Sequence, residues 1–230
     1  MTSGQDGDHG RAAADRAGSD GCTELAGQVE GIGLGPLLNF LRGLGRGGRL
    51  TISDEPFLGT LFLDAGYLSG AVLGREIGLV ALEAIMLGLG KGRFTFSGRA
   101  GPIEHNLELA PAELRILLDD LAEERSRVIT AIPSLGAVPA VVVQEAASDE
   151  VLVVPRSTLR LLLDLDGRRS VGELSYQRGL AATLRGLTQL VELGVIRLGL
   201  PTDAARGIEH ASPHTPAERA AVVGVWRRVA

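Results

Sequence analysis

A helical metal site needs imidazoles stacked on one helix face. His9, His210 and His214 fall in polar tails and His105 stands alone in a loop after Glu104, so none is placed to serve as a ligand. A catalytic thiol needs a fixed electropositive pocket and a partner base. Cys22, the sole cysteine, sits in a stretch of small and polar residues with no base beside it and reads as idle. The carboxylates Asp119-Asp120 and Glu123-Glu124 offer acid or base chemistry, but they lie on the charged side of a helical pattern, where solvation explains them. Gly31, Gly33 and Gly35 precede a helix whose first turn has free N–H groups for an anion. No strand clearly precedes them and no GxGxxG or GKT/GKS ending follows, so they read as a hinge. Gly90-Lys91-Gly92-Arg93 brings two cations to a helix-to-strand junction, where glycine is ordinary capping. No nucleophile, base and anion-stabilising group can be named together. The chain is expected to be no enzyme, to hold no metal and to carry no cofactor.

The elements around these residues are more informative. Leu61 and Leu63 alternate with Thr60 and Phe62 at the two-residue period of a strand. Asp64-Ala65-Gly66 turns the chain, with Gly66 supplying positive φ, and a return strand runs through Tyr67, Leu68 and Ala71. Upstream, Arg49 to Ser53 is a further alternating strand closed by the turn Asp54-Glu55-Pro56, so three antiparallel strands form a meander. Before them a helix is expected from Pro36, with Leu37, Leu38, Leu41 and Leu44 inward; after them another carries Leu79, Leu82, Ile85, Met86 and Leu89. The strand GRFTFSG follows. Leu61, Leu63, Phe94 and Phe96 should share a core with Leu38, Leu41, Leu82 and Ile85.

The phrases GLGPLLNFLRGLGRGGRLTI, GTLFLDAGYLSGAVLG, GLVALEAIMLGLGKGRFTF and PAELRILLDDLAEERSRV, in that order, resemble the PATAN domain family, also catalogued as a domain of unknown function. The resemblance covers residues 31–127. It implies a small α+β interaction module, often fused to receiver or other signalling domains in bacteria, with no known chemistry of its own. Many of the matching positions are apolar or glycine and mark fold more than function.

From Pro111 to about Val128 a long helix is expected, with Leu114, Ile116, Leu117, Leu118 and Leu121 forming its apolar face. Residues 129–150 contain Pro133, Gly136 and Pro139 around Val141-Val142-Val143 and read as a linker that contributes one strand. Pro155 opens another helix with Leu159, Leu162 and Leu163 inward; helices over 172–177 and 181–193 and a strand over 194–198 follow. LLLDLDGRRSVGEL and LRGLTQLVELGVIRL, in a helix, short strand, helix, helix, strand order, resemble the winged-helix domains of bacterial regulators, over residues 151–200. The same phrases occur in winged-helix-like modules that bind peptides or proteins. A DNA reader concentrates cations and polar groups on its recognition helix. Here that helix is 181–193, with Arg185 and Gln189 as candidate base contacts and Arg168 and Arg169 as candidate phosphate contacts. These four residues are the candidate contacts to a protein partner or to DNA, and one cation on the helix favours the protein.

Residues 1–30 have hardly any large apolar side chain and are read as a disordered tail; the opening MTSGQDGDHGRAAADRAG is neither signal peptide nor membrane anchor in pattern. Residues 201–230 are read as a polar tail ending in a helix, since Thr215-Pro216-Ala217-Glu218 is a capping box followed by Val222, Val223, Val225, Trp226 and Val229. The net charge of −5 over 230 residues gives no global pull toward nucleic acid, and no apolar run approaches the ~20 residues that span a bilayer. The expectation is an α+β protein: a small antiparallel sheet with packed helices (31–128), a linker (129–150) and a winged-helix-like C-terminal domain (151–200). Its expected role is that of a cytoplasmic signalling or regulatory adaptor with protein partners and no membrane, the alternative being a DNA-binding transcription regulator.

Overall fold

A computed structural model describes residues 24–98, 104–142 and 153–199. The first of these stretches runs β1 (Glu24–Gln28), a single turn α1 (Val29–Ile32), α2 (Leu34–Gly43), the meander β2 (Gly48–Asp54), β3 (Phe57–Asp64) and β4 (Tyr67–Leu73), then β5 (Glu76–Ile77), α3 (Gly78–Gly88) and β6 (Arg93–Ser97). The strands form one antiparallel sheet in the order β1-β6-β2-β3-β4-β5. Leu50 lies between Leu61 and Phe96, and Ile52 lies between Gly59 and Phe94. The two-residue period therefore puts Leu50, Ile52, Leu61, Leu63, Phe94 and Phe96 on one face, each at most 2 % exposed. Leu38, Leu41, Leu82 and Ile85 join them in one core. Gly59 has no Cβ because one would stand 2.7 Å from Ile85 Cγ1, so α3 lies directly on the sheet.

The β3–β4 connection is a two-residue loop in which Ala65 (φ 47°) and Gly66 (φ 82°) are both left-handed. Two positive φ values match the right-handed twist of the flanking strands. Gly66 suits this, but Ala65 carries a Cβ that the left-handed region penalises. Ala65→Gly should therefore raise the unfolding free energy by about 1 kcal/mol in urea titration, with an unchanged slope. An unchanged midpoint would show that the turn stores no such strain.

The remaining elements are α4 (Pro111–Ala131), β7 (Val138–Val141), α5 (Arg156–Asp164), α6 (Val171–Arg178), α7 (Leu180–Glu192) and β8 (Ile196–Gly199). In α4, Pro111 occupies the first turn and Glu113 Oε2 accepts from the Ala110 N–H at 2.9 Å. Helix α6 begins with a capping box in which the Ser170 N–H donates to Glu173 Oε2 (2.7 Å) and the Glu173 N–H donates to Ser170 Oγ (3.2 Å). The Ser170 N–H bond, joined by one from the Ser170 hydroxyl at 3.0 Å, holds the Glu173 carboxyl below its ordinary value. β7, from the expected linker, pairs antiparallel with β8, Val138 opposite Gly199 and Val141 opposite Ile196, 55 positions on. Ala137 is fully buried beside it, and its carbonyl accepts from the Val171 N–H at 2.9 Å.

Several expectations need correction. Residues 24–30, read as part of a disordered tail, form β1 and the start of α1; β1 pairs with β6 through its backbone, so it needs no apolar alternation. Helix α2 starts at Leu34, with Pro36 inside the first turn, and Leu44 lies past its end and is 42 % exposed. Leu79 is exposed at the start of α3, next to edge strand β5. Ile116 lies on the outer side of α4 at 58 % exposure, the buried stripe being Leu114, Leu118, Leu121 and Val128. In α5 the inward residue is Leu161, not Leu163, because Gly186 of α7 leaves room for it: a Cβ there would sit 2.7 Å from Leu161 Cδ2. No strand separates α5 from α6. The expected C-terminal helix after Thr215 and residues 1–23 lie outside the described residues.

One cluster of buried side chains runs from Val29 to Ile196. It joins the sheet and α3 to the later helices at α7. Leu180 at the start of α7 packs where Gly88 of α3 lacks a side chain, and a Cβ on Gly88 would stand 2.5 Å from Leu180 Cδ2. The Leu180 N–H is held by the Glu76 carboxylate of β5, which burial pushes above its ordinary pKa against that bond. On the other side, Phe57 of β3 stacks on Tyr176 of α6 with ring centroids 5.6 Å apart.

Candidate interaction surface

The four candidate contact residues occupy different settings. Arg185 projects from α7 toward the first half of the chain. Its Nε and Nη2 donate to the two oxygens of Glu124 on α4 at 2.7 and 2.9 Å, and Nη1 donates to Glu83 of α3 at 2.6 Å. The Glu124 bonds first, then those of Glu83, hold the guanidinium pKa above its ordinary value despite partial burial. Gln189 faces α5, its Oε1 accepting from the Thr158 hydroxyl at 3.0 Å. Arg169 is turned back on its own loop: Nε donates to Asp166 Oδ2 at 2.9 Å and Nη2 to the Asp164 carbonyl at 2.6 Å. The Arg168 side chain is exposed, while its N–H and that of Arg169 both donate to Asp166 Oδ1. Those backbone bonds, with the Arg169 guanidinium, pull the Asp166 carboxyl down to about 2. Arg178, from the end of α6, pairs with Asp164.

Helix α7 is buried over most of its circumference. Ala181, Thr183, Leu184, Gly186, Leu187, Thr188 and Leu190 are all buried, because α3, α4, α5 and α6 all pack against it. Arg185 fills the gap over α3 and α4. A helix that enters a major groove has to present one face to solvent along its length. α7 leaves outside only a narrow stripe of Ala182, Arg185, the half-buried Gln189 and Glu192, and of these Arg185 and Gln189 are bonded within the molecule.

The other residues with chemistry to offer stay apart. His105 is exposed, its Nε2 3.9 Å from Asp64 on the surface. Lys91 donates from Nζ to the Pro133 carbonyl at 2.8 Å, tying the α3–β6 junction to the segment after α4. Gly33 (φ 81°) links α1 to α2. Arg125 of α4 lies against Gly90 and donates to the Met86 carbonyl at 2.8 Å, with burial lowering its pKa. Among the described residues no three of His, Cys, Asp and Glu come together as metal ligands, and no helix is long and apolar enough to cross a membrane.

What the described surface does offer is an apolar groove of about 390 Å³ at the free edge of the sheet, lined by Leu25, Gly27, Ile32, Leu37, Phe40 and Phe94. It exists because β1 is an edge strand. Leu37 and Phe94 form a buried floor, with the Phe94 ring under Gly27, where a Cβ would come within 2.9 Å of it. Ile32 and Phe40 form the walls and are 52 and 55 % exposed. Large apolar side chains gathered in one concavity, beside a strand edge, are unusual on a surface with no partner. The sequence pattern does not show this groove: the inward stripe expected for α2 holds leucines and leaves Phe40 out, and residues 24–28 read as tail. A second concavity, polar and about 420 Å³, lies between α2 and the Ala65-Gly66 turn, with Asn39, Arg42 and Tyr67 at its rim.

A scan against protein-family models finds no match for the chain, and searches of curated proteins and of solved structures find none.

Proposed function

We propose that the chain is a non-enzymatic regulatory adaptor of a bacterial signalling pathway, acting in the cytoplasm and binding protein partners through its PATAN-like part, with a winged-helix-like part as structural support. The observation that carries this reading is the apolar groove beside edge strand β1, where Ile32 and Phe40 are more than half exposed. A groove of this kind takes either an added strand along the edge or an amphipathic helix laid over the apolar walls. The DNA-reading alternative draws less support, because the one cation on the exposed stripe of α7, Arg185, is occupied by two carboxylates and Glu192 shares that stripe. Releasing Arg185 to a phosphate would strand Glu83 and Glu124.

Affinity capture of the native protein followed by mass spectrometry, run beside Phe40→Asp, tests the reading. Proteins captured by the native chain and lost with Phe40→Asp are expected. In parallel, duplex DNA at about 0.15 M salt should show no shift. A submicromolar, sequence-selective DNA complex weakened by Arg168→Glu, with capture unaffected by Phe40→Asp, would replace the adaptor by a transcription regulator.

A further inference from the structure

The groove beside β1 has a matching occupant within the same chain. Among segments outside the described residues, 1–23 contains no Leu, Ile, Val, Phe or Trp, and 99–103 and 143–152 are short and tied at both ends to folded elements. Residues 216–230 differ. Val222, Val225, Trp226 and Val229 recur at i, i+3, i+4 and i+7, which on a helix is one apolar stripe, while Glu218, Arg219, Arg227 and Arg228 supply charge along the same segment. That anchor pattern is the one a helix presents to an apolar groove. An isolated helix of this length is marginal in water and gains its stability by burying the stripe.

Reach does not limit the pairing. Residues 200–215 separate the segment from the end of β8 at Gly199. Extended, that length of chain spans roughly 55 Å, whereas a folded unit of this size is about 40 Å across. The tether is longer than the molecule is wide, and a flexible link of this length keeps the segment's local concentration near the millimolar range. The groove in turn offers what the stripe lacks: an aromatic and aliphatic concavity large enough for an indole, walled by Ile32 and Phe40.

We propose that residues 216–230 dock as an amphipathic helix in the groove at β1, with Trp226 against Phe40 and Ile32, so that the chain masks its own partner surface. This rests on the reading of the groove as a protein-binding surface. An external partner then has to displace the segment, and the apparent affinity of the groove falls by the fraction of molecules in which it is covered.

Trp226 is the only tryptophan, so the full chain reports on the docking through its own fluorescence. The expected result is a blue-shifted emission with several-fold weaker acrylamide quenching than free indole. Phe40→Asp and Ile32→Asp, both at exposed positions, should restore the emission and quenching of a solvated indole while far-ultraviolet circular dichroism shows the sheet intact. Leu163→Asp, equally exposed but on α5, should change nothing. A solvated Trp226 in the native chain, or a protected one indifferent to both groove variants, overturns the proposal. Protection that grows with protein concentration together with a dimer mass would seat a second copy in the groove instead and also overturns it. Failure in these arms leaves the capture result with Phe40→Asp untouched, so the adaptor reading and the self-masking can fail separately.

Discussion

Leu63→Ala should lower the unfolding free energy by about 2–5 kcal/mol. Leu63 is fully buried near the end of β3, between Gly48 of β2 and Leu68 of β4, in the core that the sheet shares with α2 and α3. Truncation removes the transfer free energy of three carbons and leaves a cavity. The sheet cannot close over it, because its strands are fixed by ladders on both sides. Leu58→Ala in the same strand is the internal reference. Leu58 is 58 % exposed, so its loss should stay within about 0.5 kcal/mol. Urea denaturation of both variants reads the difference directly. Equal losses would mean that β3 presents the opposite face to the core.

The contact of α3 with α7 should be nearly as sensitive, and it tests whether the two halves of the chain are one cooperative unit. Leu180 is 1 % exposed and fills the space where Gly88 has no side chain. Leu180→Ala should cost about 2–5 kcal/mol by leaving a cavity, and Gly88→Ala about 1–3 kcal/mol by overpacking. Combined, they should cost less than their sum by at least ~0.5 kcal/mol, since the added methyl occupies space that the shortened side chain vacates. The shared core further predicts one transition, with Tyr176 on α6 and the sheet signal melting together. Additive losses would place Leu180 away from Gly88. Two separate transitions, or protease release of a stable 31–128 fragment, would instead make 129–150 a true boundary between independent domains.

Local patterns carried much of the fold. The period of two in β2, β3 and β6, the Asp64-Ala65-Gly66 turn and the leucine spacing of α2 and α7 each depend on residues within a few positions of one another. Backbone geometry converts those spacings into faces without reference to the rest of the chain. The antiparallel meander and its buried leucines and phenylalanines follow from that alone. So does the S-x-x-E cap of α6, whose two hydrogen bonds close within one turn.

Other features depended on what the faces meet. Strand β1 has no apolar alternation, and it is ordered by backbone pairing with β6, from 65 positions away at Gln28 and Arg93 to 73 at Glu24 and Ser97. Which leucine of α5 turns inward was decided by Gly186 on α7, whereas periodicity alone pointed to Leu159, Leu162 and Leu163 and passed over Leu161. Arg185 had the composition of a nucleic-acid contact, yet its carboxylate partners stand 61 and 102 positions away, on helices that reach it through packing. The groove at β1 is likewise a product of assembly, for it needs the edge of a sheet, the end of a helix and a missing side chain at Gly27 to coincide. Sequence by itself determined the elements and the faces they bury, because those rest on short-range sterics and hydrophobic spacing. Only the tertiary structure decided which charges are spent inside the molecule and which apolar surface is left outside, because both depend on partners that come together only when distant segments pack.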